Sequence, residues 1–302
     1  MGLSILLPVY QRSVHPLVEE LTQSCNQIPI EDYEIICLDD FSDKEFKIGN
    51  KENIVSDGRI FYYENESNLG RSVTRNKLAA LAQYETLLYL DCDSRLLDLR
   101  FISNYIHAKA QYPDRVIYGG TSYGNEPSKS YYLHWLNGIK SEALDESERN
   151  KDEYLSFHSN NFLCDREIIL KIPFDPQLIA YGHEDTLWAN QLKKANIRIQ
   201  HIPNPVRHDG LESSEIFLYK TKESVKQLVM LNSVKKQFLG SKLETIGSRL
   251  KLLRMDKVYL WFFGCIESKI NDRLLNKRPS IYLFKLYKLA WFIRFENREK
   301  MN

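Results

Sequence analysis

Through the first two-thirds of the chain, short continuous apolar runs alternate with longer amphipathic stretches, and polar turns separate them. Residues 3–10, 33–38, 59–63, 86–90, 115–120 and 197–203 read as strands, the first ending at Pro8, and residues 156–164 read as extended. Between them Leu17, Val18, Leu21 and Cys25 recur at helical spacing, as do Val73, Leu78, Ala79 and Ala82. Further helices are predicted over 102–112, 166–171 and 184–195, the last with Leu187, Trp188, Gln191, Leu192 and Ala195 on one stripe. Strands alternating with helices of this length predict βαβ units and a mostly parallel central sheet flanked by helices. Residues 124–154 are polar and without a clear period, and are read as an irregular segment that is mobile or faces an acceptor.

Beyond Gly210 the pattern turns to helices alone: 216–239 is long and Lys-rich, Gly240 interrupts it, and aromatic clusters then alternate with Lys and Arg. A boundary is therefore expected at Gly210, with one domain over 1–210 and a basic, aromatic-rich helical extension over 211–302. Charge sharpens the division. Basic side chains number 22 against 31 acidic ones through Gly210 and 19 against 9 beyond it, a formal −9 followed by +10. Such asymmetry points the extension at an anionic partner, and Tyr259-Leu260-Trp261-Phe262-Phe263 and Ala290-Trp291-Phe292-Ile293 suit an anionic membrane surface as well as they suit packing. Nothing in the pattern asks for nucleic acid.

The 43% apolar and 27% charged composition is that of a globular chain. Five scattered cysteines, with no Cys-x-x-Cys pair, argue against a disulfide framework or a structural zinc site and for a reducing, cytoplasmic setting. No signal peptide and no transmembrane run are expected, so any membrane association would be peripheral, on the cytoplasmic face.

Chemistry concentrates where the apolar runs end. Residues 86–90 deliver Asp91-Cys92-Asp93 into a polar turn, and open α/β sheets bind ligands beyond the carboxyl ends of their strands. In an extended segment Asp91 and Asp93 would share a face, where a hard cation between them would relieve their repulsion. Mg2+ or Mn2+, bound by one or two carboxylates together with diphosphate oxygens, meets that requirement. The second strand, 33–38, also ends in carboxylates, Asp39-Asp40, which can accept from the imide N–H of uracil. Arg71 and Arg75 lie on the helix between and can either reach the same anion or line a solvated face. Glu184-Asp185 opens a helix, where acidic residues serve as a cap or, held beside an apolar stripe, as a general base. His208 is either a metal ligand or a surface histidine.

Several pieces in order resemble family-2 glycosyltransferases: Ser4-Ile5-Leu6-Leu7-Pro8-Val9-Tyr10, Leu38-Asp39-Asp40-Phe41-Ser42-Asp43, Asn68-Leu69-Gly70 with Arg75-Asn76, and Leu90-Asp91-Cys92-Asp93. Phe174-Asp175, Tyr181-Gly182-His183-Glu184-Asp185 and Arg207-His208 resemble the second half of these enzymes, the galactosyltransferase-like members above all. The resemblance implies a GT-A type nucleotide-diphospho-sugar fold and inverting transfer from a nucleotide sugar, UDP-linked, to a glycan or lipid-linked oligosaccharide in polysaccharide biosynthesis. It implies that Pro8 and Tyr10 border the nucleoside, that Asp40 meets uracil and that Arg75 lies near the base or phosphates. Asp93 would bind Mn2+ or Mg2+ with His208, and Asp91 would meet ribose or the metal's surroundings. Asp185 would be the base and Glu184 would hold a sugar hydroxyl. Two positions depart from the family: Phe41 and His183 stand where glycine or a small residue is frequent, which bears on turn geometry and acceptor fit. A nucleotidyltransferase would need a glycine-rich triphosphate loop after the first strand, and Gln11-Arg12-Ser13-Val14-His15 has no glycine. A non-catalytic carbohydrate-binding protein would need neither Asp93 nor Asp185.

Overall fold

The structure is a computed structural model, and it describes residues 2–28, 32–54, 58–178, 182–234, 238–275 and 279–299. In chain order the elements are β1 (Leu3–Val9), α1 (His15–Asn26), β2 (Tyr33–Asp39), α2 (Lys44–Asn53), β3 (Ile60–Glu64), α3 (Arg71–Leu81), β4 (Thr86–Leu90), β5 (Ser94–Leu96), α4 (Phe101–Gln111), β6 (Val116–Tyr118) and β7 (Thr121–Tyr123). There follow α5 (Tyr132–Ser141), α6 (Glu146–Arg149), β8 (Asn161–Asp165), α7 (Arg166–Lys171), α8 (Glu184–Lys194), β9 (Ile199–His201), β10 (Val206–His208), α9 (Ser214–Val234), α10 (Lys242–Leu252), α11 (Asp256–Leu275) and α12 (Ile281–Glu299). They form two compact units, Met1–Tyr123 with Glu142–Ile179 and Glu184–Gly210, and Gly124–Ser141 with Ala180–His183 and Leu211–Asn302.

The first unit is built on a seven-stranded sheet in the order β3-β2-β1-β4-β8-β6-β9, in which only β8 runs antiparallel to its neighbours. This is the mostly parallel α/β sheet that the alternation of strands and helices predicts. Strand order reverses at β1, which has β2 on one side and β4 on the other, so the carboxyl ends of these strands open on a switch point. Alternation along each strand supplies a core on both faces. Leu3, Ile5, Leu7, Ile35, Cys37, Leu88 and Leu90 pack on one side, and Leu6, Ile36, Leu38, Leu87 and Tyr89 on the other. Pro8 does not end β1, as the sequence suggests, but sits inside it opposite Leu38. It lies beyond Leu6, the last β1 residue paired with β4, where β1 has a single neighbour and a missing N–H is tolerated.

A second sheet, β5-β10-β7, has no counterpart in the sequence reading because its strands are three residues each. Its register pairs His208 with Ser94 and Val206 with Leu96. Residues from opposite ends of the unit are thereby held beside the end of β4.

The second unit is helical and has its own core, in which Leu133 and Leu218 pack with Phe263, Ile270, Leu274, Phe284, Tyr287 and Ala290. Gly247 lets α10 approach α12: a Cβ there would stand 2.5 Å from the Phe292 ring. The segment read as irregular contains α5, whose buried residues are Leu133, His134, Asn137 and Gly138. Half of that face is polar, which hides the helical period from hydropathy; His134 accepts from the Glu212 backbone N–H at 2.9 Å and stacks on Phe217. The long helix read over 216–239 is observed as α9, and its expected last turn falls partly outside the described residues.

Trp188 anchors α8 to the sheet. It is fully buried, stacks on Phe174 at 4.8 Å and donates from Nε1 to the Ile172 carbonyl at 2.7 Å. Trp188→Ala should lower unfolding free energy by about 3–5 kcal/mol in denaturant titration, the usual range for an emptied aromatic core site.

Candidate active site

The site is assembled at the carboxyl ends of β1, β2 and β4. β4 ends at Leu90, and the chain then closes a turn in which the Ser94 N–H donates to the Asp91 carbonyl at 3.1 Å. The extended Asp-x-Asp of the sequence reading is therefore a turn instead, and its two carboxylates find different partners. Asp91 accepts from Arg75 Nη2 at 2.8 Å, while Asp93 lies 3.5 Å from His208 Nδ1. Burial pushes Asp91 up from the usual carboxylate range and the charge of Asp93 adds to this, against the pull of Arg75. For Asp93, burial alone would raise the pKa, but His208, Arg71 and Arg12 together bring it down to about 2. An anionic Asp93 among cationic groups suits a site for a cation and a polyphosphate together.

Whether these residues fit a divalent cation can be judged from their packing. Asp93 offers a hard carboxylate oxygen and His208 a ring nitrogen, and both side chains keep part of their surface open. Gly210 closes over the pair: a Cβ there would fall 2.0 Å from Asp93 Oδ2 and 2.9 Å from the His208 ring, so only glycine leaves the carboxylate its space. The Asp209 N–H to Asp93 carbonyl bond, 2.9 Å, fixes that approach. No cluster of three or more His, Cys, Asp or Glu ligands occurs among the described residues. The pair fits a cation that takes its remaining ligands from substrate oxygens and water.

Arg75 is the hub. It is 1% exposed, pairs with Asp91, lies 3.6 Å from Glu184 through Nη1, and has its guanidinium 5.6 Å from the centre of the Phe174 ring. Its Nε and Nη1 make no hydrogen bond. Arg71, half exposed, approaches Glu184 from the same helix at 3.5 Å. Arg75 thereby joins the Asp-x-Asp turn to the start of α8, a link that the sequence does not show. Asn76 adds a second tie, exchanging hydrogen bonds of 2.8 and 3.0 Å with the Phe174 backbone.

Asp40, 6% exposed, accepts from the Leu69 and Gly70 N–H groups at 2.8 Å each and from Asn65 at 3.0 Å. It thus pins the Asn68-Leu69-Gly70 turn, where Gly70 has φ 81° and leads into α3. Asp39 is fully buried between the Ser42 N–H and the Tyr62 hydroxyl. Pro8 is partly buried and Tyr10 half exposed at the end of β1. Phe41 has φ 69° and His183 φ 71°, so each position of the family departure holds a side chain in a left-handed conformation that glycine adopts without strain. Tyr181 lies outside the described residues.

Asp185 sits in the first turn of α8, where its Oδ1 accepts from the Thr186 N–H at 2.7 Å and its Oδ2 lies 3.3 Å from His158 Nδ1. His158 escapes the sequence reading because it belongs to no motif. Its neighbourhood comes from β8 lying between β4 and β6, and its place within the run 156–164, read as extended, is no signal of a partner. Arg12, in the loop after β1, is the other addition.

Glycosyl transferase family 2 matches the chain over residues 4–180. Chondroitin synthase of Escherichia coli is 32% identical over 144 residues, 45% of this chain and 19% of that protein. The chain spans only 60% and 19% of the length of the curated relatives it matches. In fold it is similar to S. aureus TarS 1–349 in complex with UDP (TM-score 0.52, 14% identity, covering 100% and 92% of the two chains). It is also similar to the mannosyltransferase PcManGT of Pyrobaculum calidifontis in complex with GDP-Man and Mn2+ (TM-score 0.61, 11% identity, covering 99% and 86%).

The His158–Asp185 pair yields a pH test. Burial would lower the His158 pKa, but the hydrogen bond and charge of Asp185 outweigh it and raise the pKa above its usual value. The stabilisation is thus complete below about pH 6.5 and is lost as pH rises through the higher folded value. The stability gap between the native chain and His158→Gln, measured by denaturant titration, should be widest in mild acid and shrink above neutrality; a gap independent of pH would remove the pairing. With a mostly parallel sheet and a family match over more than half its length, this chain belongs to glycosyl transferase family 2.

Proposed function

We propose that the protein is an inverting, metal-dependent glycosyltransferase that moves a sugar from a UDP-linked donor to a growing polysaccharide or lipid-linked oligosaccharide in the cytoplasm. The observation that carries this reading is Arg75: one buried guanidinium ties Asp91 of the donor-side turn to Glu184, next to Asp185. TarS solved in complex with UDP and the mannosyltransferase solved with GDP-Man and Mn2+ support a nucleotide-sugar donor. Five free cysteines support a reducing setting.

In this reading Pro8 and Tyr10 border the nucleoside, and Asp40 keeps acceptor capacity toward the uracil imide after holding its backbone amides. Asp93 and His208 would hold Mn2+ or Mg2+, which would supply positive charge toward a diphosphate. Arg12 and Arg71 add positive charge on the same side. Asp185 takes the proton of the acceptor hydroxyl as its oxygen attacks the anomeric carbon, opposite the bond that breaks to diphosphate. Glu184 holds a sugar hydroxyl with its free lone pairs, and α8, docked through Trp188, keeps both carboxylates still.

Two measurements test the reading. With UDP- and GDP-linked sugars supplied in turn, the full chain should release UDP, lose turnover in excess chelator and regain it with Mn2+ or Mg2+; Asp93→Ala should remove both turnover and metal-strengthened UDP binding. Turnover in excess chelator would overturn metal dependence, and release of GDP alone would overturn the choice of nucleotide. Asp185→Asn keeps size and can still cap α8, so a structural role leaves turnover near normal. A base role leaves melting and UDP affinity intact while turnover falls about a hundredfold or more.

A further inference from the structure

The second unit hides some of its aromatic residues and displays others. Phe263, Ile270 and Leu274 of α11 face the helical core, whereas Val258, Trp261, Phe262 and Cys265, spaced three and four apart, line the opposite face. Trp261 is 72% exposed and Phe262 58%. The end of α10 and the turn into α11 expose Leu252 (84%), Leu253 and Met255. Six large apolar side chains on one helical corner are far more than the scattered exposure of an ordinary surface.

The charges along the patch are mostly basic. From Thr245 to Ile266 the chain carries Arg249, Lys251, Arg254 and Lys257 against a single carboxylate, Asp256. Lys251 pairs with Glu296, but Arg249, Arg254 and Lys257 are exposed and form no ion pair among the described residues. Arg254 has φ 56°, a left-handed residue that ends α10 and turns the chain sharply into α11. An exposed tryptophan and phenylalanine in a stretch that also exposes three cations match an interface in which acyl chains lie beneath anionic headgroups. No helix among the described residues is long and apolar enough to cross a membrane. We propose that the α10–α11 corner is a docking surface for an anionic lipid bilayer, entered by Trp261, Phe262, Leu252 and Leu253 and held by Arg249, Arg254 and Lys257.

This goes beyond the proposed glycosyl transfer and is independent of it, because no residue of the corner belongs to the site. The test is co-sedimentation of the full chain with vesicles of phosphatidylglycerol or phosphatidylcholine, with tryptophan emission recorded. Binding should be at least tenfold tighter to the anionic vesicles, weaken with salt, and shift emission to the blue in the native chain but not in Trp261→Phe. Trp261→Ser with Phe262→Ser should reduce binding tenfold or more, as should Arg254→Glu with Lys257→Glu. All four side chains are exposed, so melting temperature should stay unchanged, and UDP release measured without vesicles should too. Equal binding to both vesicle types, undiminished binding by either double variant, or concentration-dependent self-association that the Trp261→Ser, Phe262→Ser variant abolishes without any vesicle binding would overturn the proposal; the last would assign the corner to a second copy of the chain.

Discussion

A buried arginine between two carboxylates is the constraint on which the site depends. Arg75 comes from the middle of α3, is almost wholly excluded from water, and faces Asp91 on one side and Glu184 on the other. A charge in that position costs several kcal/mol unless it is paired, so the fold can keep it only by bringing both partners to it. Asp91 is near it in sequence; Glu184 is more than a hundred residues away. Satisfying one guanidinium thus fixes the start of α8 against the end of β4, and Asp185 follows because it is the next residue. Two guanidinium nitrogens without hydrogen bonds show that the pairing is electrostatic on the Glu184 side rather than a closed network.

Around this hub the polypeptide accepts local strain. Phe41 and His183 hold left-handed conformations that cost β-carbon residues about 1–3 kcal/mol each. Phe41 follows the carboxylate that pins the α3 turn, and Lys47 sits over its ring at 4.7 Å. His183 immediately precedes Glu184 and meets Ser224 at 3.1 Å within the helical unit. Each is therefore a turn that glycine would make without strain and that here carries an aromatic ring with a partner of its own.

The division of labour between the two sheets is equally physical. The large sheet supplies strand ends, and a strand end by itself gives carboxylates that repel. The small sheet supplies the counter-group: the β5–β10 register sets His208 across from Ser94, beside Asp93, and Gly210 leaves room for the approach. His208 and Arg12 help hold Asp93 ionised despite its burial.

The sequence by itself determined the alternation of strands and helices, because strand burial on two faces requires continuous apolar runs and helix docking requires a stripe. It also located the carboxylates at strand ends and the change to basic helices after Gly210, since both are written as composition along the line. What it could not show is which distant residues meet. The Asp-x-Asp was read as extended because alternation is a property of strands, whereas a hydrogen bond from Ser94 makes it a turn and sends Asp91 and Asp93 to different partners. Nor could it show that Asp40 and Arg75, expected near the nucleotide, also carry contacts within the fold, Asp40 to the Leu69 and Gly70 amides and Arg75 to Asp91 and Glu184. His158 and α5 were invisible because a lone histidine has no period and a helix with a half-polar buried face shows none. Trp261 and Trp291 look alike in the sequence, each in a basic aromatic run; only packing decides that Trp291 joins the core of its unit while Trp261 faces out. Local propensity is a short-range property and so is legible in one dimension. Pairing of charge with charge, and of face with face, is settled only when the chain closes on itself.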